Sequence, residues 1–447
     1  MSESEPNQQS DFMIEKIKER PINKKRLIRR TLITAVMAVI FGLVACFTFI
    51  ALEPVISSWM YPEEPPPQVA FPEDPEEMSP EDMLADNLPQ EDTQEAPDTE
   101  QEVLVLDEEQ IQQILSGVTL DLHHYNQLYD TMSQYVQELN RCMVTITGIY
   151  SNVDWLNNVQ ESQNQSSGVF IAGNIKELFV LTEYTPIQGA EKLMLSPAYD
   201  SDISVPAEVK AYDIITDLAV LSVNIENMPT GDNKANEYKI AKLGSSNVRL
   251  PEGTPIVALG SPMGNTGSVA YGMITSTGGQ FSAEDSNYKL LQTDISGSQK
   301  AWGVLFNLQS EVVGIITSRG NGYDMKNLIN AYGITDLKRR LEKMSNGEAL
   351  SYIGITGGSV TTALHNELGI PYGAYIQKVT MDSPAMLAGI QQGDVITKMD
   401  GRSIASFGEY TNILLQLETG SSIEMTVMRQ VQDEYKEMTL HVTLGQI

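Results

Sequence analysis

The chain has 447 residues, enough for two or three domains of ordinary size. Its 29 Lys and Arg face 59 Asp and Glu, a formal net charge of -30, which argues against the basic surface that phosphate binding needs and so against nucleic acid as a partner. Two cysteines, Cys46 and Cys142, in different regions of the chain, imply neither a disulfide framework nor a cysteine zinc site.

Residues 1–30 read as a short cytoplasmic, basic N-terminus. The run from Thr31 to Leu52 carries no charge, and about 20 apolar residues suffice for a helix to cross a hydrocarbon core. A transmembrane helix over 31–52 follows. A cleaved signal peptide is the competing reading, but the run exceeds an ordinary h-region and no A-x-A-like site ends it. Lys24, Lys25, Arg26, Arg29 and Arg30 precede it and Glu53 is the first charge beyond it, so the positive-inside rule places the remaining chain outside the cytoplasm, at a cell membrane.

Residues 53–110 are rich in Pro, Asp and Glu, with no Lys or Arg between Tyr61 and Glu109. Such a segment cannot bury a core and predicts an extended, disordered spacer. From about 110 to 140 apolar residues recur at mixed three and four spacing, which predicts a helical lead-in able to form a contact surface between subunits. His123 and His124 are neighbours there and point about 100° apart on a helix, so a shared metal does not follow.

From Cys142 onward short strand-like runs alternate with Gly, Pro, Asn and Ser, the texture of a β-barrel or sandwich. In order, SSGVFI, FVLTEYTPI, TDLAVLSV, AKLGSSNVRLPEGTPIVALGSPMG, VAYGMITSTGG, LLQTDISGSQKAWGVLFNLQSEVVGI and NAYGITDLKRRLEKM resemble the successive blocks of an HtrA/Deg serine protease. The resemblance implies an all-β-dominated fold: a trypsin-like double β-barrel, here over 111–345 with its helical lead-in, then an α+β PDZ domain over 350–447.

Catalysis of the trypsin type needs a serine nucleophile, a histidine base, a carboxylate to orient that base, and backbone N–H donors for the oxyanion. The resemblance places the histidine after Leu181, Thr182, Glu183 and Tyr184, where this chain has Thr185, and threonine is no base near neutral pH. No histidine occurs between His124 and His365. The carboxylate position matches at Asp217; without its histidine, a buried, hydrogen-bonded structural role is the preferred reading. Counting back from Gly303, Leu305 and Asn307 places the nucleophile at Ala301, and counting forward places it at Trp302. Ser296 and Ser298 lie nearby with no base to activate them. Gln299 and Trp302 replace glycines of the oxyanion loop, which predicts a remodelled turn.

After the polar break at 343–347, the run from Ser383 to Ile396 (SPAMLAGIQQGDVI), followed by Asp400 and Gly401, resembles a bacterial PDZ domain. Tyr352, Ile353, Gly354 and Ile355 then match the loop whose backbone N–H groups receive a peptide's terminal carboxylate, with the peptide adding as a strand alongside. Phe407, Tyr410, Leu414 and Leu417 follow helical spacing and either line the groove or fill the core. Nothing in the sequence implies a cofactor or metal. The leading expectation is a non-catalytic pseudoprotease that binds unfolded or C-terminal segments in protein quality control. Two alternatives stand beside it: an active endopeptidase with unusual catalytic residues, and a regulatory subunit of HtrA-type homo- or hetero-oligomers.

Overall fold

The structure is a computed structural model that describes residues 68–72, 74, 122–153, 159–228, 238–247, 250–319, 327–432 and 434–446, together with 32–33, 35–44 and 46–48. The chain divides into a unit over 1–65 and a second over 66–447. In the first, the described residues are helical, with Leu32, Val36, Phe41 and Phe47 among those exposed. Among the described residues no helix is long and apolar enough to cross a membrane; the span expected at 31–52 also includes residues outside them.

The second unit opens with a correction to the spacer expected over 53–110. Residues 68–74, described except for residue 73, are docked rather than free. Val69 donates to Asn346 Oδ1 (2.8 Å) and accepts from Asn346 Nδ2 (2.9 Å), while Lys338 donates to the Pro72 carbonyl (3.1 Å). Asp74 receives Ser245, Thr335 and Lys338. Burial alone would raise the Asp74 carboxyl, but these donors outweigh it and hold it below the usual carboxylate range. Composition missed this segment because its few anchors, Val69, Phe71 and Asp74, sit within a run that is otherwise polar. The rest of the spacer lies outside the described residues.

Helix α1 (Leu122–Asn140) matches the expected lead-in over its described part. Its C-terminal half docks through buried Val136 and Leu139, and Tyr135 donates to the Asn307 carbonyl (2.5 Å); Leu122, Tyr125, Leu128 and Tyr129 are exposed. Then come strands β1 (Met143–Val153), β2 (Val159–Gly173), β3 (Glu177–Glu183), β4 (Lys192–Pro197), β5 (Val205–Asp213) and β6 (Leu218–Asn224), a closed barrel in the order β1-β2-β3-β6-β5-β4. Strand β3 shows why the sequence closes this way. Leu178 and Val180 face the barrel interior, while Phe179 and Leu181 face the larger core outside it, so alternation of period two produces a continuous buried run.

The second sheet comprises β7 (Lys242–Leu243), β8 (Pro255–Ser261), β9 (Ser268–Ala283), β10 (Ser286–Ser296), β11 (Trp302–Asn307), β12 (Glu311–Thr317) and β13 (Leu328–Gly333). Its order is β11-β8-β9-β10-β13-β12-β7, and pairing of β11 with β12 closes it on itself. Helix α2 (Ile334–Ser345) follows. Its Leu337, Leu341 and Met344, at i, i+4 and i+7, enter the core shared by both barrels, which unites residues of β2, β3, β6, β8, β11 and β12. The expected double barrel is therefore present.

The remaining chain has its own core, from Ile353 to Leu444. Its elements are β14 (Ser351–Tyr352), β15 (Ile355–Ser359), α3 (Thr362–Leu368), β16 (Ala374–Val379), α4 (Pro384–Leu387), β17 (Val395–Met399), β18 (Arg402–Ser403), α5 (Phe407–Leu414), β19 (Ser422–Val431), β20 (Glu434–Thr443) and β21 (Gly445–Gln446). The main sheet runs β15-β16-β17-β19-β20, which leaves β15 at an edge. Phe407, Tyr410 and Leu414 are buried in this core and Leu417 packs against it, so the stripe fills the core.

Candidate functional site

Two sites stand on this frame. The first forms where β3 ends and the turn between β5 and β6 approaches it. After Glu183 the chain enters a single 3-10 turn over Thr185–Ile187, with Pro186 favouring the required φ. Asp217 occupies the left-handed region (φ 62), which Asp tolerates better than most residues, and its carbonyl accepts from Tyr184 N–H (2.9 Å). The Thr185 hydroxyl donates across both Asp217 oxygens (2.8 Å each), and the Thr185 N–H donates to Oδ1 (2.9 Å). Arg319 Nη2 lies 3.8 Å from Asp217 Oδ2, while its Nη1 donates to the Ile215 carbonyl (2.7 Å). Thr185 thus takes up, from side chain and backbone together, the carboxylate that a histidine would need.

Burial first, and the Asp217 charge second, raise the Glu183 carboxyl to about 7 against the opposing effect of Arg319. The Glu183 charge therefore changes near neutral pH. Its side chain belongs to β3, whose backbone positions Thr185; the sequence offered no sign that it would be half-buried beside a second acid.

On the nucleophile side, Ala301 is buried, and its N–H is taken up within the turn by the Ser298 carbonyl (3.0 Å). Trp302 opens β11 opposite Ser261 and is buried in the core between the barrels. Gly303 follows with φ 145, and a Cβ there would lie 2.1 Å from the Leu259 carbonyl oxygen, so this glycine is fixed by close strand approach. Ser296, at the end of β10, is exposed. Ser298 accepts the Lys300 N–H (3.1 Å) and sits against Gly264. The two halves meet through hydroxyls: Thr182 donates to the Ser167 carbonyl (2.8 Å), Ser167 and Ser261 hydroxyls lie 3.2 Å apart, and Ser261 donates to the Trp302 carbonyl (3.3 Å).

The second site is the loop at Tyr352, Ile353, Gly354 and Ile355, and there the structure adds what the sequence did not suggest. The N–H groups of Ile353, Gly354 and Ile355 do converge on a carboxylate, and it is that of Asp285 in the turn between β9 and β10. Ile353 and Gly354 donate to Asp285 Oδ2 (2.7 and 2.8 Å), and Ile355 donates to Oδ1 (3.1 Å). Tyr410 on α5 donates to Oδ1 (2.6 Å) and Thr411 to the Asp285 carbonyl (2.9 Å). Beside it, Tyr352 and Thr380 donate to the two oxygens of Glu284 (2.9 and 2.7 Å). Burial raises the Asp285 carboxyl despite the hydrogen bonds it accepts from Tyr410 and the loop. Gly354 has φ 89, and a Cβ there would meet Ser383 Cβ at 2.4 Å. Replacing it with valine would therefore strain the fold itself.

With both sites described, the relatives can be placed. A trypsin-like peptidase domain family matches residues 166–315, and a PDZ domain family matches residues 343–444. The chain thus carries a trypsin-like domain followed by a PDZ domain, and in this order of domains it is similar to HtrA-type proteins. A "Probable periplasmic serine endoprotease DegP-like" of Pseudomonas savastanoi pv. phaseolicola is 30% identical over 293 residues, covering 64% of this chain and 57% of that protein. One of the same description from Marinomonas sp. is 30% identical over 296 residues, covering 64% and 58%. The chain thus spans little more than half the length of these curated relatives. Among solved structures, the HtrA-type protease AlgW with decapeptide is similar at 19% identity and TM-score 0.48, covering 70% of this chain and 98% of that one.

Proposed function

We propose that this HtrA-type chain is a non-catalytic, membrane-anchored protein of the extracytoplasmic space, which binds unfolded or carboxyl-terminal segments of other proteins in quality control. The observation that carries the reading is the engagement of Asp217 by Thr185 through three hydrogen bonds, in a chain with no histidine between His124 and His365. Loss of a single triad member already costs several orders of magnitude in rate, and here base and nucleophile are both replaced. Anchoring rests on the uncharged run Thr31–Leu52 behind its basic cluster, and the outer location agrees with the periplasmic description of the relatives. A regulatory subunit of HtrA-type oligomers is the second reading, favoured by the exposed Leu122, Tyr125, Leu128 and Tyr129 on α1. The test is labelling of the purified chain with a fluorophosphonate serine probe beside a casein digestion. No labelling and no digestion above buffer are expected; labelling that disappears on replacing Ser296 or Ser298 would restore the enzyme.

A further inference from the structure

On the carboxyl-terminus reading, the groove of the PDZ domain is the free edge of β15 beside α5, and the turn between β9 and β10 runs along that edge. Four contacts at its head match those of a terminal residue entering such a groove. Three loop N–H groups hold the Asp285 carboxylate, and Asp285 N–H donates back to the Ile355 carbonyl (2.7 Å). Two residues further along the same edge, Asn287 Nδ2 donates to the Gly357 carbonyl (3.0 Å). Ile355 and Gly357 are alternate residues of β15, so both carbonyls project to one side of the strand, away from its pairing with β16.

We infer that Asp285 is a built-in ligand of the PDZ groove, and that a segment ending in a free carboxylate binds only by displacing it. The inference rests on the reading of the groove as a carboxyl-terminus site. The Asp285 carboxylate, one methylene further from its own N–H than a terminal carboxylate would be, fills the same set of donors. No second anion fits beside it, because Ile353, Gly354, Ile355 and Tyr410 are already committed to its two oxygens. The turn is held from behind as well: Ser286 accepts from Arg340 Nη2 (2.9 Å), and Arg340 Nη1 reaches Asp213 (2.8 Å), both side chains being buried. Being covalently part of the chain, the occupant competes at a high, constant effective concentration. The groove is therefore latent. An incoming terminus sees an affinity reduced by the fraction of time the turn is out.

The ligand class follows from the occupant. It is an extended segment with a free terminal carboxylate, whose last residue supplies an N–H to the Ile355 carbonyl. An internal segment can use the strand edge but not the cradle.

The test titrates the full chain in detergent with decapeptides ending in Val, Leu or Phe, each as free acid and as carboxamide. Asp285→Ala should bind the free acids at least about tenfold more tightly than the parent, with the amides weak to both. Equal acid affinity in parent and variant, with the amides still weak, would overturn the internal ligand while leaving the carboxylate groove intact. Loss of the acid-over-amide preference in Asp285→Ala would overturn the reading of the groove and the inference with it. If Asp285→Ala does not fold, amide hydrogen exchange of the parent decides. A saturating free-acid peptide should speed exchange across residues 283–287 while residues 353–355 stay protected; an unchanged turn with peptide bound would sink the proposal.

Discussion

Each of the two sites is organised by one aspartate at positive φ, Asp217 at 62° and Asp285 at 58°, and each carboxylate collects donors from a neighbouring segment. The difference lies in where those donors come from. Asp217 takes its side-chain hydrogen bonds within its own barrel, from Thr185 across one strand pairing, with only the longer Arg319 ion pair coming from the second barrel, so the acid ties two ends of a single sheet together. Asp285 is satisfied by a different domain, by N–H groups 68 to 70 residues away in sequence, so it joins two bodies with separate cores. A carboxylate kept by its own barrel is a structural tie, whereas one received by a second domain would, on the inference above, be exchangeable.

The largest expected effect comes from cutting the link between the two regions. Arg340 joins Asp213, whose Oδ1 and Oδ2 cap the turn leading to Asp217, to Ser286, which adjoins Asp285. Arg340→Met leaves the buried Asp213 charge without its partner and should cost about 3–5 kcal/mol of unfolding free energy. Urea unfolding checks it; a loss below about 1 kcal/mol would mean that water reaches the pair and that the two acids are not joined through a sealed interior.

Asp217→Ala comes next, removing three hydrogen bonds to a charged acceptor and placing alanine at φ 62. A loss of about 2–3 kcal/mol is expected, with no change in fluorophosphonate labelling. Unaltered stability would show that Asp217 is not the structural tie that sets it apart from Asp285.

The smallest effect is one of pH. The folded-state value of Glu183, about 7 against an ordinary 4.5, is raised, so its contribution is fully present below about 4.5 and is lost as pH rises through 7. Unfolding free energy should therefore decline between pH 5 and 8 by about 1–2 kcal/mol more in the parent than in Glu183→Gln. Parallel profiles would place Glu183 in water and remove the crowding of acids that distinguishes this site from the PDZ cradle.

Much of this was legible in the residues. Alternation in FVLTE and TDLAVLSV gives strands with two covered faces, and Leu337, Leu341 and Met344 give a helix with one. Thr185, Asp217 and Ala301 were read from local blocks; the structure brings the first two together and buries the third. The loop from Tyr352 to Ile355 could likewise be placed as a cradle of N–H groups, since that depends only on local backbone. What fills the cradle could not. The turn holding Glu284, Asp285 and Ser286 reads simply as an acidic hairpin end, and Val69 to Asp74 as part of a polar spacer. Their partners, Ile353 to Ile355 in one case and Lys338, Glu342 and Asn346 in the other, are tens to hundreds of residues distant. Periodicity and turn chemistry act over one strand or one helical turn, so the sequence determines the elements and their faces. Which acid meets which donor across two cores is decided only when packing brings those faces together.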